Sequence, residues 1–196
     1  MMPIVVDKEE RRAEVEAVAF DIVAERGIGA VTTREVAKAC GCSTSIVSHY
    51  FESKEELLFN IYRRANMLAR ERLLSIAGTD APLVECFCQI LPMDDLSRRM
   101  WQVWLAFWAQ AHLDPRYAEE RRRSAEDGLA VHRVVIASRY REPPTSAQLT
   151  LNARCLIAAV TGIAMEACFA PEDWTPARMR AVLAAQFKAI GLPEDA

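Results

Sequence analysis

The sequence predicts an all-α protein of about nine helices, and three observations carry that expectation. Apolar residues recur at helical spacing through almost all of the 196 residues. Helix starts are marked repeatedly, by Ser or Thr with Glu or Gln three residues on, or by Thr or Asp ahead of Pro. Only 7 glycines accompany a hydrophobic content of 52%, and no segment alternates convincingly as a strand would. The length allows one domain or two small ones with a real core. The division expected is 1–55 and 56–196.

A first helix should run from about Lys8 to Arg26, with Val15, Val18, Ala19, Ile22 and Val23 on one stripe, and end near Gly27. Thr32 with Glu35 opens a short second helix whose Val36 and Ala37 point inward, and Gly41 supplies a turn. Ser43 is placed to cap a third helix, Thr44 to about Phe51. Ser53 with Glu56 opens a fourth, carrying Leu57, Leu58, Ile61 and Leu68 to about Ile76. Gly78, Thr79, Asp80 and Pro82 mark a break. A short helix follows to about Leu91, then another over 94–113.

Asp114-Pro115 starts a long helix to about Tyr140, whose charged run from Glu119 to Arg123 reads as a solvated face. Pro143-Pro144 ends it. Thr145 with Gln148 opens an apolar helix to about Phe169, and Thr175-Pro176 opens the last, which stops before Gly191.

The stretch 32–57 carries the chemistry. At roughly 100° per residue, Thr44, Ser45, Ser48 and His49 fall on one arc of the third helix. Ile46, Val47, Tyr50 and Phe51 fall on the other. The apolar arc packs on the preceding helix, while the polar arc is slim enough to enter a major groove and meet base edges. Small helical bundles also contain capped short helices with polar faces, so the face alone leaves both readings open.

Bulk charge points the other way. The net charge is −3, and residues 1–57 hold seven cations (Lys8, Arg11, Arg12, Arg26, Arg34, Lys38, Lys54) against eleven acids. Phosphate neutralisation is local, however, and Arg34 and Lys54 flank the polar face. Modest non-specific DNA affinity follows.

Other classes fit less well. No run of about 18 uncharged apolar residues occurs, and the opening MMPIVVDKEERR is too short and acidic for a signal peptide, so a cytoplasmic protein is expected. The six cysteines form no CxxC, and His49, His112 and His132 are not at ligand spacing from them, so no metal or cofactor is expected. Inert thiols are the main reading and a redox sensor the alternative. No Ser-His-Asp, HExxH or Gly-rich phosphate loop is present to support an enzyme.

The last two helices are apolar on more than one stripe: Leu149, Leu156 and Val160, then Met179, Leu183 and Phe187, among others. One stripe serves the subunit core, and the second needs a partner unless the pair is buried within a monomer. Trp101, Trp104 and Trp108 share a stripe of the sixth helix with Met100 and Phe107 on its flank. Such a stripe is core, or a cage for a cation, and a pocket wall can be both.

The ordered series Gly27, Gly29, Thr32-Thr33-Arg34, Val36-Ala37, Gly41, Ser43-Thr44, His49-Tyr50-Phe51 and Ser53-Lys54-Glu55-Glu56-Leu57 resembles the DNA-binding domain of the TetR family. That resemblance implies a homodimeric transcriptional repressor, paired through its last two helices, on a palindromic double-stranded operator. It assigns Thr33, Arg34, Ser43, Thr44, Ser45 and Ser48 to bases, and His49, Tyr50 and Lys54 to phosphates. Residues 100–113, MWQVWLAFWAQAHL, look like the BetI branch, whose members respond to choline. A small-molecule effector near Trp101, Trp104, Phe107 and Trp108 is then implied. Thr161-Gly162 departs from the acidic residue expected before glycine, and Glu166, one turn along, is the carboxylate left to name. A hydrophobic drug, an acyl thioester or an oxidant are the alternative signals, and a helical protein-binding adaptor the distant one.

Overall fold

A computed structural model describes residues 8–142 and 144–192. The expectations resting on the first seven residues and on Pro143 lie outside them. Among the described residues there are nine α-helices and no strand. They are α1 (Lys8–Arg26), α2 (Thr33–Ala39), α3 (Thr44–Tyr50), α4 (Lys54–Ala77), α5 (Leu83–Cys88), α6 (Asp95–Ala111), α7 (Pro115–Ala137), α8 (Ser146–Phe169) and α9 (Pro176–Ala189).

Most helix starts are fixed by side chains the sequence identifies. The hydroxyls of Thr32, Thr145 and Thr175 accept from the backbone N–H groups of Glu35, Gln148 and Arg178. Each satisfies a donor the helix leaves unpaired. Ends differ more from expectation. Phe51 is extended at φ −133°, so α3 stops at Tyr50. Pro82 stands at the cap of α5, and the chain turns after Cys88 rather than at Leu91. Turn bonds from Leu113 and Asp114 to the Gln110 carbonyl close α6 at Ala111. A similar bond from Arg139 to Ile136 closes α7 at Ala137. A 3-10 turn at Ile28–Ala30, which the sequence reading did not include, follows Gly27 at φ 76°.

The chain forms two compact units, which divide α4, α6 and α7 internally. The first holds the residues up to Ala65 together with Gln102–Ala118. In it α1 packs on α2, and α2 on α3. Val15, Ala19, Val36, Val47, Leu58 and Ile61 are buried there, the inward stripes that the spacing predicts.

The second unit holds Asn66–Trp101 and the chain from Glu119 onward. Here α9 packs on α8 and α5, with Phe87 and Phe187 edge-on at 5.8 Å. The start of α6 is a reciprocal box: the Asp94 N–H donates to Ser97 Oγ at 3.1 Å, and the Ser97 N–H to Asp94 Oδ1 at 2.8 Å. Arg72 of α4 pairs with Asp94 and donates to the Gln89 carbonyl at 2.7 Å. Burial pushes the Asp94 carboxyl up, but its bonds from Ser97 and Arg72 outweigh that and hold it below the usual range. Arg139 donates to the Thr79 and Ile76 carbonyls at 2.8 and 3.4 Å, satisfying groups at the end of α4.

His132 is buried in this second unit, beside the Phe87 ring, and shares a 2.8 Å hydrogen bond with the Gly128 carbonyl. Burial pulls its pKa below 6.5, against the opposing effect of that bond. The unfolded chain therefore takes up this proton first, and stability falls as pH drops through 6.5 towards the folded value. His132→Gln should flatten part of that loss between pH 7 and 5.5. Urea denaturation of both proteins across that range checks it, and parallel pH profiles would refute it.

Candidate nucleic-acid interface and aromatic cluster

The reading face is built from a turn. The end of α2 is pinned by bonds from the Cys40 N–H to the Val36 carbonyl and the Cys42 N–H to the Ala37 carbonyl, both 2.9 Å. Gly41 sits between them at φ 62°, a left-handed conformation that glycine adopts without strain. The chain reverses and α3 begins at Thr44.

On α3, Val47 is buried and Ile46 and Tyr50 are half-buried, while Thr44, Ser45, Ser48 and His49 are exposed. Phe51, just past the helix, is buried as well. The predicted split into two arcs is thus realised. Ser43 occupies the cap position, but its hydroxyl lies 2.7 Å from Ser45 Oγ and makes no capping bond. The two hydroxyls compete with the backbone for each other, which spacing alone does not reveal.

The next helix completes the surface. Glu56 N–H donates to Ser53 Oγ at 3.0 Å, and Glu56 Oε2 accepts from the Glu52 N–H at 2.7 Å. Lys54 then projects from the first turn of α4. A cleft of ≈ 200 Å³ lies here, lined by Thr33, Ser48, Ser53 and Lys54, by the Glu52 carboxylate, and by Val47 and Phe51. The hydroxyls and the ammonium suit a phosphate oxygen, and the Glu52 carboxylate opposes one.

Charge is distributed to leave this face accessible to an anion. Glu14, Glu16 and Glu35 pair with Arg11, Arg12 and Arg26, and Arg12 also stands over the Phe51 ring at 5.3 Å. Among the described residues, Arg34 and Lys54 are exposed and make no ion pair. His49 meets Tyr50 edge-on at 5.2 Å.

Within the same compact unit, six aromatic side chains come together. Trp104 and Trp108 lie parallel, 2° apart in plane with centroids at 6.3 Å. Trp108 Nε1 donates to the Tyr62 hydroxyl at 3.2 Å. Tyr62 stacks on Phe107 at 3.9 Å, and Phe59 stands edge-on to Phe107 and Tyr117. Burial raises the Tyr117 pKa, helped by the charges of Glu55 and Asp114. The sequence reading omitted Phe59, Tyr62 and Tyr117. Phe59 and Tyr62 stand three apart on α4, a spacing that could have pointed to them.

Trp101 and Glu166 sit in the second unit. Trp101 is buried, and its indole N–H donates to the Ile90 carbonyl at 2.6 Å, as a core tryptophan does. Glu166 is exposed on α8. Cys86 and Cys88 are buried, with burial pushing the Cys88 thiol up to about 12, whereas Cys40, Cys42, Cys155 and Cys168 are half-buried.

A helix-turn-helix with a slim polar face, carried ahead of a helical unit, defines a DNA-reading regulator. Residues 17–61 match the family of bacterial regulatory proteins of the tetR type, and residues 80–191 match the C-terminal domain of BetI-type transcriptional repressors. The chain belongs to the TetR family of transcriptional regulators, with a BetI-type C-terminal domain. It is a regulator, not an enzyme, by that membership.

Among relatives, the HTH-type transcriptional regulator PksA of Bacillus subtilis is 26% identical over 96% of this chain and 94% of its own. The regulator BetI of Burkholderia thailandensis is 32% identical over 58% of this chain and 61% of its own length. A Rhodococcus transcriptional regulator of known structure superposes with TM-score 0.78 at 28% identity, covering 91% of this chain and 95% of that one. A regulator from Saccharomonospora viridis, solved in complex with choline, shares the fold at TM-score 0.75 and 22% identity, over 92% and 96% of the two chains.

The turn makes a clear prediction. A Cβ built on Gly41 meets nothing within 4 Å, so only backbone strain opposes a side chain there. Gly41→Ala should cost about 1–2 kcal/mol, and Gly41→Asn less, because asparagine tolerates the left-handed region. Chemical denaturation measures this; an alanine variant as stable as wild type would refute it.

Proposed function

We propose that the chain is a repressor that binds a palindromic operator as a homodimer and leaves it when a small effector binds. The split face of α3 is the observation that carries the DNA half of this reading. Thr33, Arg34, Ser43, Thr44, Ser45 and Ser48 approach bases, while His49, Tyr50 and Lys54 hold phosphates. Functionally, residues 1–55 read DNA and 56–196 serve ligand and partner, a cytoplasmic protein throughout.

Support for the dimer comes from α8. It is apolar enough, by length and composition, to cross a membrane, yet only 39% of its most apolar window is buried. Leu151, Met165 and Phe169 are exposed on it. In a DNA-reading regulator, a second copy covers such a face and sets two recognition helices against successive major grooves.

Choline or another small cation is the first effector to test. The parallel pair Trp104 and Trp108 with Phe107 beside it offers π faces to a quaternary ammonium, and the S. viridis neighbour holds choline. Trp101 and Glu166 are the outlying members of the set. The Thr161-Gly162 departure supports a second reading, in which the same aromatic cluster takes a neutral hydrophobic molecule. In either case the effector acts by favouring a conformation whose recognition helices no longer match the operator.

Two measurements test this. In mobility shifts with the DNA upstream of its own gene, the retarded complex should hold two chains. Tyr50→Ala should weaken binding to every sequence about equally, whereas Ser45→Ala should relax preference at one base pair, worth about 1–3 kcal/mol. Equal losses across all sequences for both variants would overturn the division of contacts.

Isothermal titration tests the effector. Choline should bind with measurable heat, and Trp104→Ala should weaken it about tenfold, the scale of one desolvated cation–π contact. Absence of heat at millimolar choline overturns the cation reading and leaves the neutral one.

A further inference from the structure

Two cysteine pairs in this chain share the same i, i+2 spacing, and the fold treats them oppositely. Cys86 and Cys88 lie on α5, fully buried, and on a helix that spacing points two side chains in different directions. Cys40 and Cys42 lie at the turn between α2 and α3, both half-buried and so open to solvent on one side. The helix has ended at Cys40, and Gly41 at φ 62° reverses the chain between the two. Three bonds hold that loop: Cys40 N–H to Val36, Gly41 N–H to Lys38 and Cys42 N–H to Ala37, at 2.9, 3.2 and 2.9 Å. The two thiols flank that single turn residue, Cys42 adding to the upward push on the Cys40 thiol and Arg11 of α1 opposing it.

We propose that Cys40 and Cys42 form a two-thiol binding site for a soft, thiophilic acceptor with two open positions, such as a trivalent organoarsenical. The reaction is a condensation. An arsenic oxide exchanges its bonds to oxygen for two arsenic–sulfur bonds, and both thiol protons leave on that oxygen as one water. No electrons move, and arsenic stays trivalent, so neither oxidant nor reductant is required.

The chemistry suits the site. Burial pushes the Cys40 thiol up to about 11, so it is protonated at neutral pH and a poor nucleophile towards single-site alkylators. A condensation that carries the thiol protons away as water accepts the protonated form. Once one sulfur is bound, the second lies across a single turn, and its capture is intramolecular. Buried Cys86 and Cys88 on their helix offer no such geometry.

The location gives the site a consequence, which rests on α3 being the reading helix. Cys42 directly precedes Ser43, at the cap position of α3. A ring closed over Gly41 draws both sulfurs onto one arsenic atom and so shifts the torsions that aim α3 from those of the free turn. Binding should therefore weaken DNA affinity.

The test uses the full chain and phenylarsine oxide, followed by intact-mass spectrometry and peptide mapping. One adduct per chain is expected, mapped to 40–42, resistant to excess glutathione and removed by a small dithiol. Cys40→Ser and Cys42→Ser should each lose that resistance, and a Cys86→Ser, Cys88→Ser double variant should keep it. An adduct that maps elsewhere, persists in both single variants, or yields to glutathione overturns the site. Mapping in the unmodified sequence decides even if a variant fails to fold.

In mobility shifts with a duplex that the untreated protein retards, the adduct should weaken binding at least tenfold. Unchanged affinity with the arsenical bound overturns the consequence for DNA. Failure of the untreated protein to retard any duplex would instead strike at the proposed DNA reading, and leaves the mass result decisive for the site.

Discussion

The left-handed turn at Gly41 is the constraint on which the reading face depends. Everything that makes α3 useful, its start at Thr44, its buried Val47 and its exposed Ser45 and Ser48, follows from the chain reversing within one residue. A right-handed residue there would continue α2 and carry the polar arc elsewhere. The bond from Cys42 to the Ala37 carbonyl stabilises this reversal, and Val47 and Phe51, both buried, complete it from beyond. Local chemistry at the turn thus decides a property of the whole protein.

An acidic chain that reads DNA needs its charges arranged rather than summed. Three acids of the first two helices are occupied internally, in the pairs Arg11–Glu14, Arg12–Glu16 and Arg26–Glu35. Exposed pairs of this kind add little stability. Their effect is to soften the negative field near the groove-facing surface while Arg34 and Lys54 stay available. Phosphate binding depends on that local balance over a Debye length of about 10 Å, not on the net charge of −3.

Much of this was legible in the sequence, for a physical reason. Capping is local chemistry, so Thr32, Ser53, Thr145 and Thr175 announce their helices within four residues, and the structure uses each as expected. The two arcs of α3 were legible because burial follows periodicity. Contacts between distant segments were not. Nothing in the spacing of Tyr62 says that it stacks on Phe107 or accepts from Trp108, 46 residues away. Ser43 turned to Ser45 instead of the backbone because two hydroxyls so close bond each other as readily as they cap. Trp101, grouped by periodicity with Trp104, donates to Ile90 in the second unit, since a stripe does not record where a unit ends.

Tyr62 matters beyond packing, because of the helix it sits on. Lys54 at the cleft beside α3 and Tyr62 in the aromatic cluster belong to the same stretch of α4, eight residues apart, about 12 Å along the axis. Both lie in one compact unit. A molecule entering between Trp108 and Tyr62 must break their 3.2 Å bond or displace one of the partners. If Tyr62 gives way by a shift of α4 rather than by a rotamer change, the helix carries that shift along its axis. The first turn of α4, with Lys54, would then move, and the phosphate contact proposed for Lys54 would move with it. Coupling by this route needs no long pathway: it needs the effector to prefer the state in which Tyr62 has given way.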